Sequence, residues 1–212
     1  MKKKYLIMNE KMEFKVITIG DSNVGKTSII KRLVYNTFND NTLVTTGMDF
    51  CKYNIKLEDG NEIVLRIVDT AGQERYKSLA KKYFTNANAA LFVYAQDQEE
   101  SFDNITNWIS IFEENNRGNK MNIVKCLVGN KNDKEKKIDD TLVEKFVKDN
   151  KFFTFKSTSA KRGNKEILEL FEKLGDKLYQ ENKKYEKVKG VQVKLYQQKN
   201  NNKGCSVVDC IL

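Results

Sequence analysis

The 212-residue chain is long enough for one domain with a sizeable core plus a tail, and its 40% hydrophobic content marks it as globular. No apolar run approaches the length needed to span a bilayer, and the complete lack of His removes the commonest general base and zinc ligand. Its net charge of +9 comes from lysines spread along the chain without a basic–aromatic stripe, which argues against nucleic acid as a partner.

Residues 1–12 read as an N-terminal extension. Lys2, Lys3 and Lys4 precede a stretch, Tyr5 to Met8, too short for a secretory signal, so a cytosolic protein is expected. Phe14, Val16, Ile17 and Ile19 then read as a buried strand, followed by Gly20-Asp21-Ser22-Asn23-Val24-Gly25-Lys26-Thr27. Glycines at both ends of this run let the backbone wrap a phosphate chain and aim its N–H groups inward. Lys26 offers a point charge to the outer phosphates, and the Thr27 hydroxyl is placed to ligate Mg²⁺. Ser28 to Val34 reads as the opening of a helix, which sets the phosphates on a helix N-terminus, where unpaired N–H groups and the dipole favour anions.

Strand and helix signals alternate from there on. Phe50 to Leu57 and Ile63 to Val68 read as strands joined by a tight turn at Glu58-Asp59-Gly60-Asn61. Ala89 to Ala95 reads as a buried strand, Ser101 to Glu114 as an amphipathic helix, and Ile123 to Val128 as another buried strand. Asp139 to Asp149 is helical, Phe152 to Phe155 a strand, and Lys165 to Tyr179 a long amphipathic helix. The pattern predicts an α/β fold of the P-loop type: a three-layer sandwich around a central six-stranded sheet, mostly parallel, with one antiparallel hairpin edge. Residues 13–180 form the domain. From Gln180 periodicity fades, and 181–212 reads as a disordered basic tail. Cys51 and Cys126 fall in apolar strand-like runs, where a buried reduced thiol is the default; Cys205 and Cys210 crowd the C-terminus.

A phosphate cradle alone does not choose among ATPases, kinases and GTPases. Asn130-Lys131-Asn132-Asp133, directly after a buried strand, favours guanine, because one carboxylate, Asp133, can accept both N1–H and the 2-amino group, whereas adenine presents an acceptor at N1. Lys131 can lay its stem over the base and Asn130 can tie this loop to the cradle. Backbone N–H groups of Ser159-Ala160-Lys161 could meet the guanine O6. Between the two loops lies Asp69-Thr70-Ala71-Gly72-Gln73-Glu74. Asp69 can reach Mg²⁺ through a water, the Gly72 N–H can meet a γ-phosphate, and the Gln73 amide can orient a water for in-line attack.

On these residues the chain resembles a small GTPase of the Ras superfamily over roughly residues 13 to 180. Thr45-Thr46-Gly47-Met48-Asp49-Phe50 resembles the first switch of the Rab family, and Leu65 to Tyr76 its second. The resemblance implies that Thr45 ligates Mg²⁺ in the GTP state, with Thr46 as the rival, and that Phe38 packs edge-on to the guanine; Phe38 could equally be a core residue. It implies a switch that binds GTP and GDP with Mg²⁺, hydrolyses GTP slowly and recruits effectors in the GTP state, acting as a monomer. An exchange factor and a GTPase-activating protein, the latter supplying an arginine, join the effectors as partners in the region of Thr45, Phe50, Val68 and Tyr83. Val68 stands where the family usually has Trp, and Ala95 where it usually has Asp. The ending Cys205-Ser-Val-Val-Asp-Cys210-Ile-Leu is neither a CaaX box nor a Cys-Cys or Cys-x-Cys terminus. A lipid on Cys205 or Cys210 is still implied, holding the protein on the cytosolic face of an intracellular membrane with help from Lys183, Lys184, Lys187, Lys189, Lys194, Lys199 and Lys203. The rivals are a nucleotide-locked scaffold and a small-molecule kinase working on ATP.

Overall fold

A computed structural model describes residues 12–40, 49–70, 83–118 and 122–201, by backbone alone after Lys189. Its strands are β1 (Met12–Ile19), β2 (Asp49–Lys56), β3 (Glu62–Asp69), β4 (Ala89–Ala95), β5 (Val124–Asn130) and β6 (Thr154–Ser157). The helices of the described residues are α1 (Lys26–Tyr35), α2 (Glu99–Asp103), α3 (Ile105–Asn116), α4 (Asp140–Asp149) and α5 (Lys165–Asn201). The strands form one sheet in the order β2-β3-β1-β4-β5-β6, parallel except for the β2–β3 pair at one edge. This is the expected six-stranded, mostly parallel sheet. Its antiparallel pair closes through the predicted turn, where the Leu57 N–H donates to the Asn61 carbonyl at 2.8 Å and the Gly60 N–H to the Leu57 carbonyl at 3.0 Å.

Apolar residues run almost without interruption along β1, β4 and β5 because both sheet faces are covered. Along β4, Ala89, Leu91, Val93 and Ala95 join a core that includes Ile29, Leu33, Leu170, Phe171 and Leu174 from α1 and α5. Ala90, Phe92 and Tyr94 point the other way, into a second core with Phe102, Trp108, Phe112 and Val143 from α2, α3 and α4. The period-2 alternation of a strand thus feeds two cores from one run of sequence. β1 lies between β3 and β4, so the chain leaves it towards one edge and later builds out towards the other. The loop after β1 therefore opens at the carboxyl end of the strands, at the point where the winding reverses.

Beyond shifts of one or two residues at several strand ends, three differences from the sequence expectation have a visible cause. The helix expected over residues 101–114 is two pieces, α2 and α3, meeting at Asn104, whose N–H is shared between the Glu100 and Phe102 carbonyls. The last strand starts two residues late because the Phe152 N–H turns back to the Val147 carbonyl at 3.0 Å, completing the end of α4. The last helix does not stop at Tyr179 but continues to Asn201, so the segment read as disordered from Gln180 is helical that far. Its Lys, Glu, Gln and Leu content has high helix propensity despite lacking a long apolar stripe. The Lys177–Glu181 pair, one turn apart at 2.8 Å, bridges the point where order was expected to end.

Candidate functional site

The loop of residues 20–25 is shaped by its neighbours as well as by its glycines. Gly20 has φ +145, and a Cβ there would lie 2.0 Å from the Val93 carbonyl oxygen. Gly25 has φ +95, and its Cβ would lie 2.2 Å from Asn130 Nδ2. Val24 is buried and Asn23, at φ 62, takes the left-handed turn that asparagine tolerates. Gly25 caps α1 without a side-chain acceptor, and no acidic residue occupies the first turn. The end of α1 is thereby kept receptive to an anion. Lys26 is buried, its Nζ donating to the Gly20 carbonyl at 2.8 Å and the Asp21 carbonyl at 2.7 Å. Ser22 and Ser28 are half-buried.

Asp69 ends β3 beside this loop at 4% exposure. Burial pushes its carboxyl pKa up, opposed by a hydrogen bond from Thr27 and by the charge of Lys26. Its Oδ1 has no hydrogen-bond partner. A buried carboxylate oxygen left unpaired next to a hydroxyl and a phosphate-type loop is the environment a hard divalent cation would satisfy, so Asp69 and Thr27 fit Mg²⁺. Among the described residues no group of three or more His, Cys, Asp or Glu side chains is assembled that could hold a metal unaided. A cation here would complete its shell with water and phosphate oxygens.

The loop after β5 is braced on both sides. Asn130 is buried; its Nδ2 donates to the Val24 carbonyl at 2.9 Å, and its Oδ1 accepts from Thr158 Oγ1 and from the Ala160 N–H, each at 3.3 Å. Lys131 has φ 63 and is half-buried, which pushes its pKa down. Asp133 is half-buried, and its Oδ1 accepts from the Ser159 hydroxyl. Lys161 pairs with Asp40 at 3.1 Å, drawing the loop of residues 159–161 towards the segment that carries Phe38. Phe38 itself is half-buried and packs against the first core. Thus the structure gathers Gly20 to Ser28, Asp69, Asn130, Lys131, Asp133 and Ser159 to Lys161 around the carboxyl end of the sheet.

Two braces have no local signature in the sequence. Arg32, one turn from the end of α1, donates from Nε to the Ala160 carbonyl at 2.8 Å and from Nη2 to the Lys161 carbonyl at 3.3 Å, joining α1 to that loop. Gln96, buried after β4, donates from Nε2 to the Gly129 carbonyl and to Ser157 Oγ, both at 2.7 Å, and fixes the end of β5. The Asp21 carboxylate, for which the sequence suggested no partner, turns away from the loop's concavity to accept from Asn104 and Trp108.

On the outer face Phe50 is 54% exposed and its ring lies 6.1 Å from that of Tyr83. Val68, expected beside them as part of a flattened partner surface, is instead 1% exposed and belongs to the second core with Ile17, Ile19 and Phe84. It pairs with Phe50 across β2–β3, yet it lies under the surface that Phe50 presents. Thr45, Gly72 and Gln73 lie outside the described residues, as do Cys205 and Cys210. Among the described residues no helix is long and apolar enough to cross a membrane.

Comparison with known proteins agrees with this geometry. A family model described as the Ras family matches residues 15–180. The chain is 38% identical over 165 residues to Ras-related protein Rab-5B of Plasmodium falciparum, covering 78% of this chain and 77% of that one. It is 37% identical over 196 residues to GTP-binding protein YPT52 of Saccharomyces cerevisiae, covering 79% and 82% respectively. A 120-residue stretch is 42% identical to a Ras and EF-hand domain-containing protein homolog of Mus musculus, covering 57% of this chain and 18% of that much longer one.

Proposed function

This chain is a Rab-type small GTPase of the Ras family, and from that premise we propose that it is a guanine-nucleotide switch for membrane traffic, drawing effectors to a membrane in its GTP form and releasing them after hydrolysis. The observation that best supports this reading is the hydrogen bond from Asn130 to the Val24 carbonyl. It sets a loop bearing a carboxylate, Asp133, beside a phosphate-type cradle at one end of the sheet.

In this reading backbone N–H groups of residues 21–28 and the Lys26 ammonium take the phosphates. Asp133 accepts from the guanine N1–H and 2-amino groups while Ser159 holds its other flank. Lys131 covers one face of the base, Phe38 meets its edge, and the N–H groups of Ala160 and Lys161 face O6. Thr27, Thr45 and, through a water, Asp69 would hold Mg²⁺, which when bound neutralises phosphate charge. Gln73 orients the attacking water, and Thr45 and Gly72 sense whether a γ-phosphate is present. An arginine from a GTPase-activating protein completes the site. Effectors dock on the exposed Phe50 and the half-buried Tyr83 beside it, and a prenyl group on Cys205 or Cys210 anchors the protein.

The test has two arms. Competition of GTP against ATP for the purified protein is expected to favour GTP strongly, and Asp133→Asn is expected to move preference towards xanthine nucleotides, since an amide can donate to the xanthine 2-carbonyl. Single-turnover hydrolysis of bound GTP is expected on the order of 10⁻⁴ to 10⁻³ per second, the scale of an unassisted member of the family. ATP preference would favour the kinase reading, and tight GTP binding with no turnover the scaffold reading.

A further inference from the structure

An aspartate at the second position of a phosphate-binding loop places a negative charge where a polyanion lands. In this protein the side chain is turned outwards and both its oxygens are occupied. Trp108 donates from Nε1 to Asp21 Oδ1 at 2.7 Å, and Asn104 donates from Nδ2 to Asp21 Oδ2 at 2.8 Å. Residues 104 and 108 lie one turn apart on the same helix face, so the two donors reach the carboxylate as a fork. The fork is stiff: Trp108 is 8% exposed, packed in the second core with Phe102, Ile109 and Phe112. Asn104 is the residue at which α2 gives way to α3. The backbone carbonyl of Asp21, in turn, is one of the two that hold the Lys26 ammonium.

We infer that Asp21 is a positioning residue for nucleotide: α3 grips its carboxylate through Trp108 and Asn104, and this grip fixes the phosphate loop and Lys26 in place. The inference rests on the nucleotide-binding reading above. Releasing the grip acts in one direction through two causes. A freed carboxylate can swing towards the phosphates and repel them, and Lys26 loses the fixed peptide it rests on. Nucleotide should therefore leave faster, with the effect confined to residues that share the contact.

Release of GDP bearing a methylanthraniloyl reporter is measured on the full chain at fixed Mg²⁺. Trp108→Phe, which keeps a ring and removes the N–H, is expected to speed release about tenfold, as is Asp21→Ala, since each loses a hydrogen bond to a charged group. The double variant is expected to be no faster than Asp21→Ala alone, a non-additivity that a general loosening of the core would not produce. Release at the parental rate in both single variants, or effects that multiply in the double, overturns the inference. Asn104→Ala serves as the milder variant should Trp108→Phe fold poorly. Trp108 is the chain's single Trp. Its emission in nucleotide-free protein is therefore expected to shift on Asp21→Ala, and an unchanged spectrum would mean that the indole does not bond the carboxylate. A parent that fails to retain guanine nucleotide counts against the switch reading; the grip is then decided by the emission measurement alone.

Discussion

At the scale of single residues, burial decides what a side chain is for. Val68 faces the second core at 1% exposure, so an indole there must be fitted into packed space. Val68→Trp is expected to destabilise the fold by about 1–3 kcal/mol through overpacking, seen as a thermal midpoint lower by roughly 3–10 °C. A variant as stable as the parent, with new affinity for partners that read exposed aromatics, would place Val68 at the surface instead. Burial also silences Cys126, whose thiol pKa is pushed up to about 12 by desolvation in the first core. Because the folded state favours the protonated, unreactive form, alkylation by iodoacetamide at pH 8 is expected to spare Cys126 until denaturant unfolds the chain, as peptide mass spectrometry would read. The glycines, Lys26, Asn130 and Asp133 were legible in the sequence because their spacing is local. The bracing contacts of the Asp21 carboxylate and of the Arg32 guanidinium with residues 160 and 161 were not, because those partners lie between 83 and 129 positions away and no short-range pattern announces them.

At the scale of elements, β4 and β5 were legible because a strand buried on both faces is a short apolar run bounded by polar residues. The helices were less so, since their ends depend on side chains elsewhere: Asn104 breaks a continuous amphipathic pattern while its amide serves Asp21. How closely α5 approaches the sheet was also hidden. A Cβ on Gly175 would lie 2.9 Å from Ile55 Cδ1 and 3.2 Å from Ile63 Cδ1, so the missing side chain is what lets the helix settle on β2 and β3. Gly175→Leu is expected to lower stability by about 1–3 kcal/mol in a urea titration, despite leucine's better helix propensity. An unchanged or raised midpoint would show that the helix can lift off at little cost.

For the whole molecule, the C-terminal helix carries Lys183, Lys184, Lys187 and Lys189 within two turns, with Lys183 pairing with Asp59 of the β2–β3 turn at 3.5 Å and Lys184 with Glu181 at 3.2 Å. Such a basic stem suits an anionic membrane surface, where one lipid chain alone binds only marginally. The doubly substituted Cys205→Ser, Cys210→Ser protein, made in cells that prenylate, is expected to move from the membrane pellet to the supernatant. A parent of unmodified mass that already sediments with the supernatant would overturn the anchor. The hydrogen bond from Asn130 to Val24 has a consequence for the energetics of the whole site. If the two loops hold base and phosphates as proposed, this bond would couple the half-sites, so that order imposed by a base on one loop would be felt in the other, and linkage would make the effect reciprocal. A nucleoside and a pyrophosphate offered as separate pieces should then each bind more tightly in the other's presence, with no covalent bond between them.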